Sequence, residues 1–255
     1  MTNPVKLLLT SDWHCGNLLG LTPHEYIQPS FALAPLMHEF YDWFCNAISS
    51  KYDYMIHAGD IVDGEGKKDS MFHLTTNINT QMDMALEITE KVNADKNIFV
   101  HGTPYHTANN LDYDEIIAEK CSGEIDYKQK IIIDSIRFNI AHHIGRSSVP
   151  SGGDVMLKNE LIMNYLYDLL DHEDPCDYII RGHTHQYRRV ENDFGTVITL
   201  PSLQLGIAKY NLYARKMSGY YSVGFLEMDI YPEKKIDIVK KTFNYKLASR
   251  KYREV

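Results

Sequence analysis

Five short apolar runs in this chain each give way to aspartate or histidine: SDWHCG (11–16), GDIVDGEG (59–66), HGTPYH (101–106), AHHIG (141–145) and GHTH (182–185). Carboxylate and imidazole are the ligand types that suit borderline divalent ions such as Mn2+, Fe2+ or Zn2+. Two such ions about 3.5–4 Å apart need a bridging oxygen, which a carboxylate supplies. Each signature alone is weak, since a lone Asp-x-His is more often a cap or a surface pair. Gly-His-x-His is more specific, because its glycine permits a tight bend from which both imidazoles project. The recurrence of Asp and His at five successive strand ends points to a metal centre. The four cysteines, Cys15, Cys45, Cys121 and Cys176, form no C-x-x-C pair, which argues against a structural zinc site or a disulfide framework.

The elements that must position these residues are legible as patterns. The runs 5–11, 52–60, 96–102, 136–143 and 176–183 have the length and β-branched content of buried strands. Helical spacing of apolar residues covers Ser30–Ser49, Ser70–Val92 and Asp154–Leu170, with a shorter helix over Asp112–Cys121. KIIIDSIRFNIAHH reads as a hairpin turning at Asp134–Ser135, and the last third reads as antiparallel strands. No repeat, low-complexity run or linker interrupts the 255 residues, so one α/β domain is expected, with motifs over 12–185, a β-rich part over 186–245 and a basic tail over 246–255. In open α/β sheets, ligands bind outside the carboxyl ends of the strands, where the polar signatures fall.

A composition of 44% apolar and 24% charged residues argues against disorder, and a formal charge of −8 argues against a protein that coats DNA. Lys234–Val255 reverses that balance with eight basic against two acidic residues, which reads as a solvated face before a polyanion contact. The N-terminal apolar run is too short for a signal peptide or membrane span. A soluble, cytoplasmic protein is expected, with no membrane association and no obligate protein partner evident.

As an ordered set, D-x-H, G-D-x-x-D, an intervening histidine and G-H-x-H resemble the calcineurin-like metallophosphoesterase superfamily. The resemblance implies a four-layer αββα sandwich. It also implies two divalent ions, Mn2+ first and Fe2+ or Zn2+ as alternatives. Asp12, His14 and His185 would hold one ion, His142 and His183 the other, and Asp60 would bridge them. His142 is preferred to its neighbour His143 because the family's ligand directly follows the strand. Asp63 would orient a histidine by hydrogen bond. A water held between the ions, its pKa lowered towards about 7, would attack phosphorus in line.

The third motif departs from the family's Gly-Asn-His. Gly102-Thr103-Pro104-Tyr105-His106 stands there instead, resembling a variant of phage and bacterial members. Thr103 offers a neutral hydroxyl as a weaker ligand. His106 then has two readings: a general acid for the leaving group, or a replacement imidazole ligand. His57 and His101 are expected to be structural, and His24, His38, His73 and His172 to be surface or helix residues. Beyond the last motif, Tyr210 and Tyr213 are candidates to stack on bases and Arg215 to meet a phosphate. The expected activity is a phosphodiesterase on nucleotides or nucleic acid. A small-molecule phosphomonoesterase and a non-catalytic scaffold of the same fold are the alternatives.

Overall fold

The structure, a computed structural model, describes residues 3–65, 72–104, 112–145, 152–170, 175–207 and 221–245. Its first sheet is built around β1 (Val5–Thr10), whose Leu7 and Leu9 face one way and Leu8 the other, all three fully buried. A strand covered on both faces reads as a continuous apolar run, which VKLLLT is. β2 (Tyr52–His57), β3 (Ala94–Val100) and the short β4 (Glu124–Asp126) follow it in parallel. On its other side lie β10 (Gly224–Ile230) and β11 (Ile236–Thr242), both antiparallel to their neighbours.

The second sheet runs in the order β5 (Lys128–Ile133), β6 (Ile136–Ala141), β7 (Tyr178–Arg181), β9 (Gly195–Thr199), β8 (Arg188–Asn192). β6, β7 and β9 are parallel, while β5–β6 and β8–β9 are hairpins. Asp134 and Ser135 turn the first hairpin with φ of 47° and 67°, the mirror-image turn that matches strand twist. The final third is therefore split between the sheets, and β9 joins β7 in parallel where only antiparallel strands were expected.

Leu7, Leu9, Ile56, Val100 and Met228 of the first sheet meet Phe138, Ile140, Ile180 and Ile198 of the second in one buried cluster. The opposite face of the first sheet is covered by α1 (Ala34–Ala47), α2 (Ile78–Val92) and α3 (Tyr113–Lys120), through Phe40, Phe44, Met84, Ile88 and Ile117. α4 (Gly153–Leu169) covers the second sheet through Leu157 and Leu161. The result is the αββα sandwich, with two sheets inside and helices outside.

The expected helix over Ser70–Val92 begins only at Ile78. Asn77 takes the cap, its side chain accepting from the backbone N–H of Asn79 at 3.0 Å, while Leu74 and Thr75 donate their N–H groups to Gly16 O. No helix among the described residues is long and apolar enough to cross a membrane.

Phe138 is 1% exposed at the centre of the inter-sheet cluster. Phe138→Ala is expected to lower the unfolding free energy by about 3–5 kcal/mol in urea denaturation, the range for large-to-small core truncations. A loss below about 1 kcal/mol would contradict the packed inter-sheet layer.

Candidate metal centre

The parallel strands end level with one another. Thr10 pairs with His57 and His57 with Phe99 in one sheet, and Ala141 pairs with Arg181 in the other. The residues that follow each strand therefore gather at one end of the sandwich. There Asp12 Oδ1 stands 3.1 Å from His185 Nε2 and 3.8 Å from His14 Nε2, and the two imidazole nitrogens are 3.4 Å apart. Beside them Asp60 Oδ2 is 3.0 Å from His142 Nε2, which is 3.3 Å from His183 Nδ1. Thr103 Oγ1 completes this second group at 3.1 Å from Asp60 Oδ2, 3.2 Å from His142 Nε2 and 3.5 Å from His183 Nδ1. Ligand atoms of Asp12, Asp60 and His142 also lie within 4.8 Å of one another, which joins the two groups.

These atoms suit divalent cations. Donors about 2.0–2.2 Å from one ion stand roughly 2.8–3.6 Å from each other, and the contacts of His142 with Asp60 and His183, and of Thr103 with all three, lie in that range. Asp12 Oδ1 is buried without a well-formed hydrogen bond and is faced by imidazole nitrogens, an arrangement that a cation would complete.

The far nitrogen of three rings is held by a partner that fixes the tautomer. His142 Nδ1 donates to Ala58 O at 2.7 Å, a carbonyl that can only accept. His14 Nδ1 is 3.1 Å from Asp63 Oδ1. Tyr221 O–H donates to Gln204 Oε1 at 2.9 Å, so the same oxygen accepts from His185 Nδ1. In each case Nε2 keeps its lone pair for the centre. Asp63 thus acts through His14, and its other oxygen is engaged by Asn17 Nδ2 at 3.0 Å and His73 Nε2 at 2.8 Å. That contact corrects the surface reading of His73, whose side chain is 5% exposed.

Charge is tightly coupled here. Burial alone would depress His142, but Asp60 and Asp12 beside it raise its pKa to about 10. His183, half-buried and next to that cation, falls to about 4. Burial would raise Asp12, yet His185 and His142 hold it well below the usual carboxylate range. Without an ion, the carboxylates recruit a proton in its place.

The backbone is specialised in the same places. Ten non-glycine residues among those described have positive φ, and Asp12, His14, Asp60, His183 and His185 are half of them. Such strain persists where the surroundings over-determine it, typically at functional sites. Gly59, at φ 87°, leaves no room for a Cβ, which would sit 2.6 Å from His142 Nδ1. A Cβ on Gly102 would sit 2.3 Å from Asp60 Oδ1.

All eight of Asp12, His14, Asp60, Asp63, Thr103, His142, His183 and His185 are thus brought together. His106, Tyr210, Tyr213, Arg215 and the tail over 246–255 lie outside the described residues. Among the residues that sequence reasoning missed, Tyr221 and Gln204 orient His185, and no local pattern marks either. Asp114 is another: its Oδ2 accepts from Gly102 N–H at 2.9 Å and so anchors the third loop. Burial, Asp60 and Asp112 raise Asp114 to about 7. His101 and His57 are structural as expected: His101 Nδ1 is 2.6 Å from Asp112 Oδ2, and His57 is buried edge-on to Trp13.

Fold and site together define an αββα protein with a convergent Asp/His centre at the strand ends. No family model matches the chain, and no curated protein matches it in sequence. Among solved structures it is similar to Vps29 from Chaetomium thermophilum, at 10% identity over 95% of this chain and 97% of that one, with a TM-score of 0.47. Vps29 from Cryptosporidium parvum gives 12% identity over 96% and 100%, with a TM-score of 0.46. An archaeal phosphodiesterase gives 17% identity over 92% and 99%, with a TM-score of 0.40.

Two outcomes follow from this geometry. Gly59→Ala should weaken divalent-ion binding by at least ~10-fold, because the His142 ring must move; unchanged affinity in calorimetry would contradict the close approach. Asp114 has a raised folded-state pKa, so its contribution to stability is full below its ordinary value and is lost as pH rises to about 7. Metal-free Asp114→Asn should remove that decline in denaturation curves between about pH 4 and 7, and a decline equal to that of the parent would contradict it.

Proposed function

We propose that this chain is a two-metal phosphoester hydrolase, a phosphodiesterase acting on nucleotides or nucleic acid. The observation that carries the reading is the pair of adjoining donor groups, Asp12/His14/His185 and Asp60/His142/His183, joined through Asp12, Asp60 and His142. When bound, a pair of divalent ions would neutralise phosphoryl oxygens and lower the pKa of a water to supply the nucleophile.

The chain's own residues have distinct parts in this reading. Asp60 would be shared by the two ions. The partners on His14, His142 and His185 keep each Nε2 aimed inward, so little reorganisation is needed when the ester arrives. Asp63 is a positioning residue acting through His14. His106 is assigned the proton donated to the leaving alkoxide, whose departure completes hydrolysis without a covalent intermediate. Tyr210, Tyr213 and Arg215 are assigned to base stacking and phosphate contact. Mn2+ is the first ion to test. A reducing, cytoplasmic setting is supported by four scattered cysteines that form no disulfide.

The test is hydrolysis of bis-p-nitrophenyl phosphate beside the monoester by metal-stripped protein, with and without Mn2+. The expected result is Mn2+-dependent turnover that favours the diester and falls more than ~100-fold in Asp60→Asn. Turnover of the monoester alone would replace the reading with a phosphomonoesterase. No turnover with two ions bound would favour a non-catalytic scaffold.

A further inference from the structure

The second donor group is short of strong ligands. Asp60, His142 and His183 are strong, but Thr103 contributes only a neutral hydroxyl. The residue next to His142 supplies what is missing. In an extended strand, adjacent side chains point to opposite faces. β6 has ended at Ala141, however, and the chain bends at His142. The His143 ring consequently turns back to the same centre, 4.9 Å from the His142 ring and 4.8 Å from the His183 ring between centroids. Ligand nitrogens of His142, His143 and His183 all lie within 4.8 Å of one another. His142 is 1% exposed whereas His143 is exposed, so the two approach from the interior and from the solvent side.

Resting on the two-metal reading above, we infer that His143 is a further protein ligand of the second ion, giving that position three imidazoles, one of which, His142, stands 3.0 Å from Asp60. Imidazole suits Zn2+ and Fe2+, whereas carboxylate and other oxygen donors suit Mn2+. His143 therefore sets the ion preference of the second position and sharpens it towards Zn2+. The first position, with two imidazoles and Asp12, does not depend on it.

The experiment is calorimetric titration of metal-stripped protein with Zn2+ and, separately, Mn2+, for the parent chain, His143→Ala and His143→Asn. An exposed position makes both variants compatible with folding, which circular dichroism checks. The parent should bind two ions. His143→Ala should keep the first affinity and weaken the second by about 10–100-fold, with the larger loss for Zn2+. His143→Asn, which offers an amide oxygen, should restore Mn2+ binding more than Zn2+ binding. Two unchanged affinities in His143→Ala would overturn this inference and leave the two-metal reading standing. A parent chain that binds fewer than two ions would overturn both.

Discussion

Two carboxylates removed from water govern this structure. Asp12 is 0% and Asp60 3% exposed, and they stand close enough for each to raise the other's cost of ionisation. An isolated buried carboxylate costs several kcal/mol even after relaxation, so it must be neutralised, hydrogen-bonded or bound to a cation. Here all available donors are recruited. Ser11 Oγ and the His183 N–H donate to Asp12 Oδ2, Thr103 N–H and Oγ1 donate to Asp60, and the imidazoles close the remaining sides. What is left over, Asp12 Oδ1 facing Nε2 of His14 and of His185, is the signature of a place for positive charge.

The architecture serves that cluster. Parallel strands bring their carboxyl ends level, and two sheets stacked face to face bring five such ends to one rim. Short side chains can converge there only if the backbone bends sharply at each strand end. That accounts for the left-handed conformations of Asp12, His14, Asp60, His183 and His185 and for the glycines pressed against His142 and Asp60. Strain of about 1–3 kcal/mol at each such residue persists only because the inter-sheet and helix-facing cores hold the strands rigidly.

Much of this was legible in the sequence because the governing patterns are local. VKLLLT announces a strand buried on both faces, and Asp134-Ser135 announces a hairpin. Asp and His after successive strands announce the centre. What stayed hidden depends on residues distant in the chain. Tyr221 reaches His185 from 36 positions away, and Asp114 anchors Gly102 from a helix start that reads as an ordinary cap. His73 looked like a surface histidine because its partner, Asp63, is supplied by another loop. His143 was set behind His142 because the ligand of the resembled family directly follows the strand, and β6 ends at Ala141, immediately before His142. The start of α2 was misplaced for a related reason: the apolar periodicity runs on through Phe72 and Leu74, but Gly16 claims the backbone there.

The most direct test of the metal centre is anomalous diffraction from crystals of the metal-stripped protein soaked in Mn2+ or Zn2+. Two peaks about 3.5–4 Å apart are predicted, one among Asp12, His14 and His185, the other among Asp60, His142 and His183. No peak at either cluster under saturating metal, or a single ion bound elsewhere, would contradict the account.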